Sequence, residues 1–130
     1  MKTMEIKNVL SKNTIALVKA KKLNLTSLAK KSGAGYGSCQ RVTSPDEGEK
    51  NSPNLKNINK ISKALEVSVW KLFFPNLPVK LMEDERLEKS IQMLVDCSDE
   101  NRLDIYEHIQ KVYDKDRMEK ELRELKDKKQ

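Results

Sequence analysis

A run of polar side chains and glycines over residues 35–41 has the chemistry needed to contact the edges of nucleic-acid bases. An arginine can pair with guanine through two hydrogen bonds, a glutamine can pair with adenine, and an aromatic ring can pack against a thymine methyl group. A glycine lets the backbone approach closely because it has no side chain. The candidate base-contacting residues are therefore Tyr36, Gly37, Ser38, Gln40 and Arg41.

Such residues need a short helix that keeps one side turned outward. Gly33 can end a preceding helix, because a left-handed residue stops a helix at little steric cost when it is glycine. We expect helices over about 25–32 and 35–42, the second with a first turn weakened by glycines that cost about 1 kcal/mol each. Two helices joined in this way are suited to placing one of them in the DNA major groove. The inward positions are filled by Leu28, Ala29, Ala34, Cys39 and Val42.

The rest of the chain also follows helical spacing, with few β-branched or aromatic runs, so we expect an all-α fold. Helices are predicted over about 4–21, from a cap near Ser52 or Asn54 to about 65, from Ser68 to about 73, over 84–97 and over 99–127. A loop is expected over 43–53, and a stiff linker at the prolines of FPNLPV. Beyond Asp114 the apolar stripe changes phase, so we expect a bend, a frayed end or a change of partner there, followed by a disordered basic tail.

Two stretches carry a family resemblance: LAKKSGAGYGSCQRV over 28–42 and SPNLKNINKISKALEVSVWKLF over 52–73. Together they make residues 6–74 similar to the lambda-repressor-like, or Xre-type, helix-turn-helix DNA-binding domain. The resemblance implies a five-helix fold and sequence-specific transcriptional control of the phage-repressor type. It also implies that Tyr36, Gly37 and Arg41 contact bases, since they match the family's contact positions. We accordingly assign 1–79 to a DNA-binding domain and 80–130 to a separate helical segment.

Phosphate contacts are expected at the starts of two helices, where free backbone amides attract anions. Lysines near these ends would add positive charge. Each of these residues could equally be an ordinary solvated or capping residue. The candidates are Asn24, Thr26, Ser27, Lys30, Lys31, Asn54, Lys56 and Asn57.

The charge is divided unevenly along the chain. Residues 1–79 carry 14 Lys and Arg against 5 Asp and Glu, a net charge of +9, whereas residues 80–130 have a net charge of −3. This asymmetry is expected of a nucleic-acid module joined to a protein-contact module. Because such regulators act as two-fold dimers, we expect the second segment to dimerise, although it could instead cover the core of its own chain. The candidate dimerisation residues are Leu87, Ile91, Leu94, Val95, Tyr106, Ile109, Val112 and Tyr113.

Catalytic functions have little support in the sequence. His108 is the single histidine, and Gly33, Gly35 and Gly37 lack both the strand and the Gly-Lys-Ser/Thr ending of a phosphate loop. Cys39 and Cys97 form no CxxC pair, which is typical of reduced core thiols. The 51 residues after Val79 are too few for the self-cleaving peptidase domain of larger phage repressors. We expect no enzyme activity, no metal and no cofactor.

The start of the chain has no uninterrupted apolar run, and no segment approaches the length of a membrane span. We expect a cytoplasmic protein that binds double-stranded DNA at a palindromic operator as a homodimer. The alternative is a non-catalytic adaptor, in which the helix-turn-helix is only a scaffold for a regulatory protein partner such as an antitoxin or antirepressor. Selection from random DNA separates these interpretations.

Overall fold

The computed structural model describes residues 5–44 and 52–129, and every regular element in these ranges is helical. The chain divides into two units, Met1–Glu85 and Arg86–Gln130. In chain order the elements are α1 (Ile6–Ala20), α2 (Leu25–Ser32), α3 (Tyr36–Thr43), α4 (Leu55–Ala64), a 3₁₀ helix (Val69–Phe73), α5 (Val79–Met82), α6 (Glu85–Asp96) and α7 (Asp99–Lys128).

The core of the first unit is a single apolar cluster to which every helix up to α5 contributes. Helix α1 packs against α3, the 3₁₀ helix and α5, and α4 packs against α2, α3 and the 3₁₀ helix. Each fully buried aliphatic side chain contributes about 1.5–3 kcal/mol of hydrophobic stabilisation. The cluster consists of Leu10, Leu17, Val18, Leu28, Cys39, Val42, Ile58, Ile61, Ala64, Leu65, Leu72 and Met82.

The buried side-chain amide of Asn13 on α1 forms hydrogen bonds with the end of the 3₁₀ helix. Asn13 Nδ2 donates to the carbonyl oxygens of Leu72 and Phe74, each at 2.9 Å. These carbonyls lie where the 3₁₀ helix ends, so they have no partner in a following turn. The fifth helix that the sequence predicts is a 3₁₀ helix of five residues. Its short length suits 3₁₀ geometry, and Pro75 closes off any continuation.

The first unit continues beyond the boundary expected at Val79. Met82 is buried in the core, and Lys71 Nζ donates to the carbonyl oxygens of Met82 at 2.9 Å and Asp84 at 3.1 Å. A buried ammonium needs such acceptors, because an uncompensated charge in the interior is costly. The segment expected to be a linker is thus a turn within the unit, with Asn76 in the left-handed region.

The other boundaries follow the predictions closely. Helix α2 has the predicted bounds, α3 begins one residue later than expected, and Asn54 rather than Ser52 caps α4. The predicted start of the first helix at residue 4 and most of the predicted 43–53 loop, residues 45–51, lie outside the described residues.

The second unit consists of α6 and α7, joined through Cys97 and Ser98. Ser98 caps α7 by accepting from the Asn101 amide at 3.3 Å, while Arg102 donates to the Val95 carbonyl at the end of α6. At 1.5 Å per residue, α7 is about 45 Å long.

Helix α7 is continuous through Asp114 and extends to Lys128, so it has no bend where the apolar stripe changes phase. A change of partner at this point stays a prediction. Residues 99–128 contain no glycine or proline. Side-chain pairs four residues apart add support, with Lys120 and Asp116 at 3.1 Å and Arg117 and Glu121 at 3.8 Å. Within the described ranges, no helix has both the length and the apolar character to cross a membrane.

Candidate nucleic-acid interface

Two glycines fix the turn that joins α2 to α3. Gly33 has φ 71° and ψ 12°, and its amide donates to the Ala29 carbonyl at 3.0 Å, which ends α2. Gly35 has φ 84° and ψ 151° and stands directly before α3. Side chains with a Cβ rarely adopt these positive φ values. The direction in which α3 leaves α2 therefore depends on glycine at both positions.

Helix α3 turns two residues inward and most of the candidate base-contacting residues outward. Cys39 and Val42 are fully buried, and they anchor the helix to the core. Tyr36 is 52% exposed, and Gly37, Gln40 and Arg41 are also exposed. These four residues form the outer face of α3.

Ser38 differs from the other candidates because it lies half-buried at the edge facing α4. Its Oγ accepts a hydrogen bond of 2.9 Å from Asn57 Nδ2. The bond brings the first turn of α4 beside the first turn of α3. Asn57, expected to contact phosphate, thus also positions α3.

A concavity of about 350 Å³ lies on the outer face of α3, lined by Gly37, Gln40, Arg41 and Ser44. Gly37 contributes to it by lacking a side chain. A Cβ added at Gly37 would have nothing within 4 Å, and its φ lies outside the positive region. Neither packing nor backbone conformation within the described chain therefore requires glycine here, although glycine costs a helix about 1 kcal/mol relative to alanine.

Two side chains of α1 hold the carboxyl end of α3. Ser11 Oγ lies 2.9 Å from the Val42 carbonyl oxygen and 3.0 Å from that of Ser44. Lys7 Nζ donates to the carbonyl of Arg41 and, at 2.8 Å, to that of Ser44. These carbonyls lack partners within the helix, and a cation there also favours the negative end of the helix dipole. Sequence reasoning missed both contacts; the one available signal is a serine at a buried position of α1.

The candidate phosphate-contacting residues form two groups. At the start of α2, Asn24 Oδ1 accepts from the Ser27 amide at 2.8 Å and the Ser27 hydroxyl at 2.9 Å, so both residues serve as a helix cap, while Thr26 is exposed. Lys30 and Lys31 are exposed in the last turn of α2.

At the start of α4, Asn54 Oδ1 accepts from the Asn57 amide at 2.8 Å, and Lys56 is exposed. This second group lies beside α3 because of the bond between Asn57 and Ser38. The structure therefore brings the first turn of α4 beside the edge of α3, whereas the α2 candidates belong to the helix that precedes the turn.

Electrostatics favour an anionic partner for this part of the unit. Residues 6–44 contain seven lysines and one arginine and no Asp or Glu, and α4 also lacks acidic residues. Two acidic residues elsewhere in the unit, Glu66 and Glu83, lie 3.7 and 3.9 Å from Lys21. The segment that carries α2 and α3 is thus uniformly basic.

Cys39 is suited to packing and not to chemistry. Burial raises the pKa of its thiol above the ordinary value, and a contact with the Ser32 hydroxyl only partly opposes this effect. The thiol is therefore neutral at physiological pH, and the thiolate is the reactive form. Among the described residues, no group of three or more His, Cys, Asp or Glu side chains could hold a metal ion.

The candidate dimerisation residues lie on α6 and α7 of the second unit. Leu87 is half-buried, whereas the others are exposed, from 36% for Leu94 to 62% for Val95 and Tyr106. A shallow apolar hollow on α7 is lined by His108, Ile109, Val112, Tyr113 and Asp116. Single exposed apolar residues are common, but several on one face of a helix are typical of an interaction surface.

Comparison of the chain with protein-family models, with curated proteins and with solved structures gave no match.

Proposed function

We propose that the first unit is a helix-turn-helix DNA-binding domain of the lambda-repressor-like type. In this proposal the chain is a sequence-specific transcriptional regulator, a repressor that occludes promoter DNA. The observation that carries the proposal is the outer face of α3, which is exposed, polar and free of acidic residues while both ends of the helix are held. A helix that reads bases must be rigidly placed and must leave its outer side open.

Base recognition would depend on few side chains. Arg41 would pair with guanine, Gln40 with adenine, and Tyr36 would pack against a thymine methyl group. The missing side chain at Gly37 would let the backbone approach the floor of the groove. The first turn of α4, with Lys56, would contact phosphate beside α3 and set the register of the helix on the duplex.

The second unit would supply a two-fold partner. Its exposed apolar row on α6 and α7 is available to a second copy, and two domains would then read half-sites about 34 Å apart. Few base contacts per domain give modest affinity, so linking two domains would provide most of the operator affinity.

Selection of binding sites from a random duplex pool tests the proposal. We expect the full chain to enrich a palindrome that contains guanine at a fixed position in each half-site. In a parallel selection, Arg41→Ala should enrich a site that no longer has a preferred base at the position of that guanine. Lys12→Ala on α1 removes the same charge and is the control, and it should still enrich the guanine.

The salt dependence of DNA affinity is a second test of the proposed complex. The logarithm of the binding constant should fall with the logarithm of salt concentration by about 0.9 for each phosphate neutralised. An absence of any enriched sequence would instead favour the adaptor, in which the exposed apolar residues of the second unit bind a regulatory protein.

A further inference from the structure

Helix α7 has a second apolar face that the proposed dimerisation residues do not include. Met118, Leu122 and Leu125 are 63%, 57% and 56% exposed. We call these three residues the distal seam, and we call Tyr106, Ile109, Val112 and Tyr113 the proximal stripe. Leu122 follows Tyr113 by nine residues, so in a continuous helix it lies about 180° round the axis. The two faces therefore cannot be covered by one flat surface.

The two faces also differ in width. With Ile105, the proximal stripe covers about 120° of the helix, which is typical of a helix that packs against several others. The distal seam covers about 60° and has only the four-then-three spacing of a heptad repeat. A seam of that width is characteristic of two helices that pair as a coiled coil.

The charges beside the distal seam indicate what the pairing helix is. On one flank lie Glu119 and Lys126, and on the other lie Glu121 and Lys128; all four are exposed. Each flank is thus acidic towards its amino end and basic towards its carboxyl end. A segment with this order of charges is complementary to a reversed copy of itself.

We infer that the distal seam binds the distal seam of a second copy of this chain in antiparallel orientation. Leu122 then packs against the partner's Leu125, and Leu125 against the partner's Leu122. Glu119 lies beside the partner's Lys126, and Glu121 beside the partner's Lys128, so each contact is made twice.

A parallel pairing is less favourable because the charges that flank the seam are less complementary. It would place Glu119 beside the partner's Asp114, a repulsive pair, and only Glu121 would face a lysine, the partner's Lys126. The antiparallel arrangement has opposite charges at all four flanking positions. The overlap spans only about three helical turns, so the contact is weak by itself and adds to any association through the proximal stripe.

Sedimentation equilibrium on the full chain, with no DNA present, tests this contact. Glu119→Lys and Lys126→Glu should each weaken self-association by on the order of tenfold, because each reverses two flanking pairs. An equimolar mixture of the two variants should restore it, because every flanking pair is again opposite in charge. Glu124→Lys makes the same charge change about 130° away from the seam and should leave association as it is.

The Glu119→Lys variant also distinguishes an antiparallel pair from a parallel one. In a parallel pair, Glu119→Lys would face the partner's Asp114, so stronger association of this variant would overturn the antiparallel assignment. Unchanged association of Glu119→Lys and Lys126→Glu, or of Leu122→Asp with its helix content intact by circular dichroism, would overturn the seam itself. Ile109→Asp tests the proximal stripe separately, so failure of the proposed homodimer and failure of the distal seam can be told apart.

Discussion

In the proposed complex, we expect Arg41 to contribute more to base discrimination than any other side chain. It is exposed on α3, and its own backbone carbonyl is held by Lys7, so the helix that carries it is fixed at this end. We expect Arg41→Ala to lower affinity for the selected operator by about 1–3 kcal/mol and to relax specificity at one base pair. Fluorescence anisotropy on operator and random duplexes gives both quantities.

Arg41→Lys is the matched control, because it keeps the charge and removes the two-pronged guanidinium. It should retain affinity for random DNA while losing discrimination at the guanine. Equal losses on both duplexes for Arg41→Ala would make this residue a phosphate contact instead.

Gly37 should have opposite effects on folding and on binding. The space around its missing side chain is open and its backbone conformation is ordinary, so Gly37→Ala should raise the free energy of unfolding by about 0.5–1 kcal/mol. The added methyl group would stand where the proposed DNA backbone or base approaches, so operator affinity should fall. Urea denaturation and anisotropy measure the two effects.

Gly33→Ala provides the contrasting control. Gly33 has φ 71°, so a Cβ there is strained and the variant should be less stable. If Gly37→Ala bound operator as tightly as the original chain, glycine at this position would have no role in recognition.

Single residues were predictable where local chemistry decides their conformation. Gly33 ends α2 in the left-handed region, and Cys39 and Val42 are buried, as predicted, because a left-handed turn and two inward positions are properties of a short segment. Ser38 is harder to predict, since its hydrogen bond joins it to Asn57, 19 residues away. The bond from Lys7 to Arg41 spans 34 residues, and no local pattern contains it.

At the scale of elements, α1 and α3 depend on each other through Ser11. Ser11→Ala would leave the buried Val42 carbonyl without its hydroxyl donor. We expect a loss of about 1–3 kcal/mol in the free energy of unfolding, and faster amide hydrogen exchange in the last turn of α3.

Ser90→Ala is the control for this variant, because Ser90 Oγ donates only to the Arg86 carbonyl of its own exposed helix, at 2.7 Å. Its effect should lie within about 0.5 kcal/mol. Equal stabilities for the two variants would mean that the α1 contact contributes nothing to holding α3.

Element types were predicted better than element lengths. The helical spacing of α1, α2, α4 and α6 follows from amphipathic periodicity, which is a strong signal in single sequences. Three elements were described less well: the 3₁₀ helix Val69–Phe73, where tertiary contacts from Asn13 decide the geometry, the short helix α5, which was not predicted, and the end of α7. In α7 the change of stripe phase predicted a bend, a frayed end or a change of partner. The helix is continuous, so there is no bend, and its two apolar faces point in different directions.

At the scale of the molecule, the position of the boundary between the units decides which truncations fold. A chain that ends at Val79 loses the buried side chain of Met82, worth about 2–5 kcal/mol for a residue of this kind. It also loses the carbonyl oxygens that accept from Lys71 Nζ. We expect a chain that ends at Glu85 to unfold cooperatively, and one that ends at Val79 to have a markedly lower Tm by circular dichroism.

The truncation at Glu85 also separates base reading from pairing. It keeps the outer face of α3 and the first turn of α4 but removes the apolar faces of α6 and α7. Affinity for a single half-site should therefore equal that of the full chain, whereas affinity for the complete palindrome should fall by about 10²–10⁴, because the second half-site is no longer linked. Titration of both duplexes by anisotropy measures the two affinities. If the truncated chain held the palindrome as tightly as the full chain, pairing would reside in residues 1–85, and the second unit would have to serve a different partner.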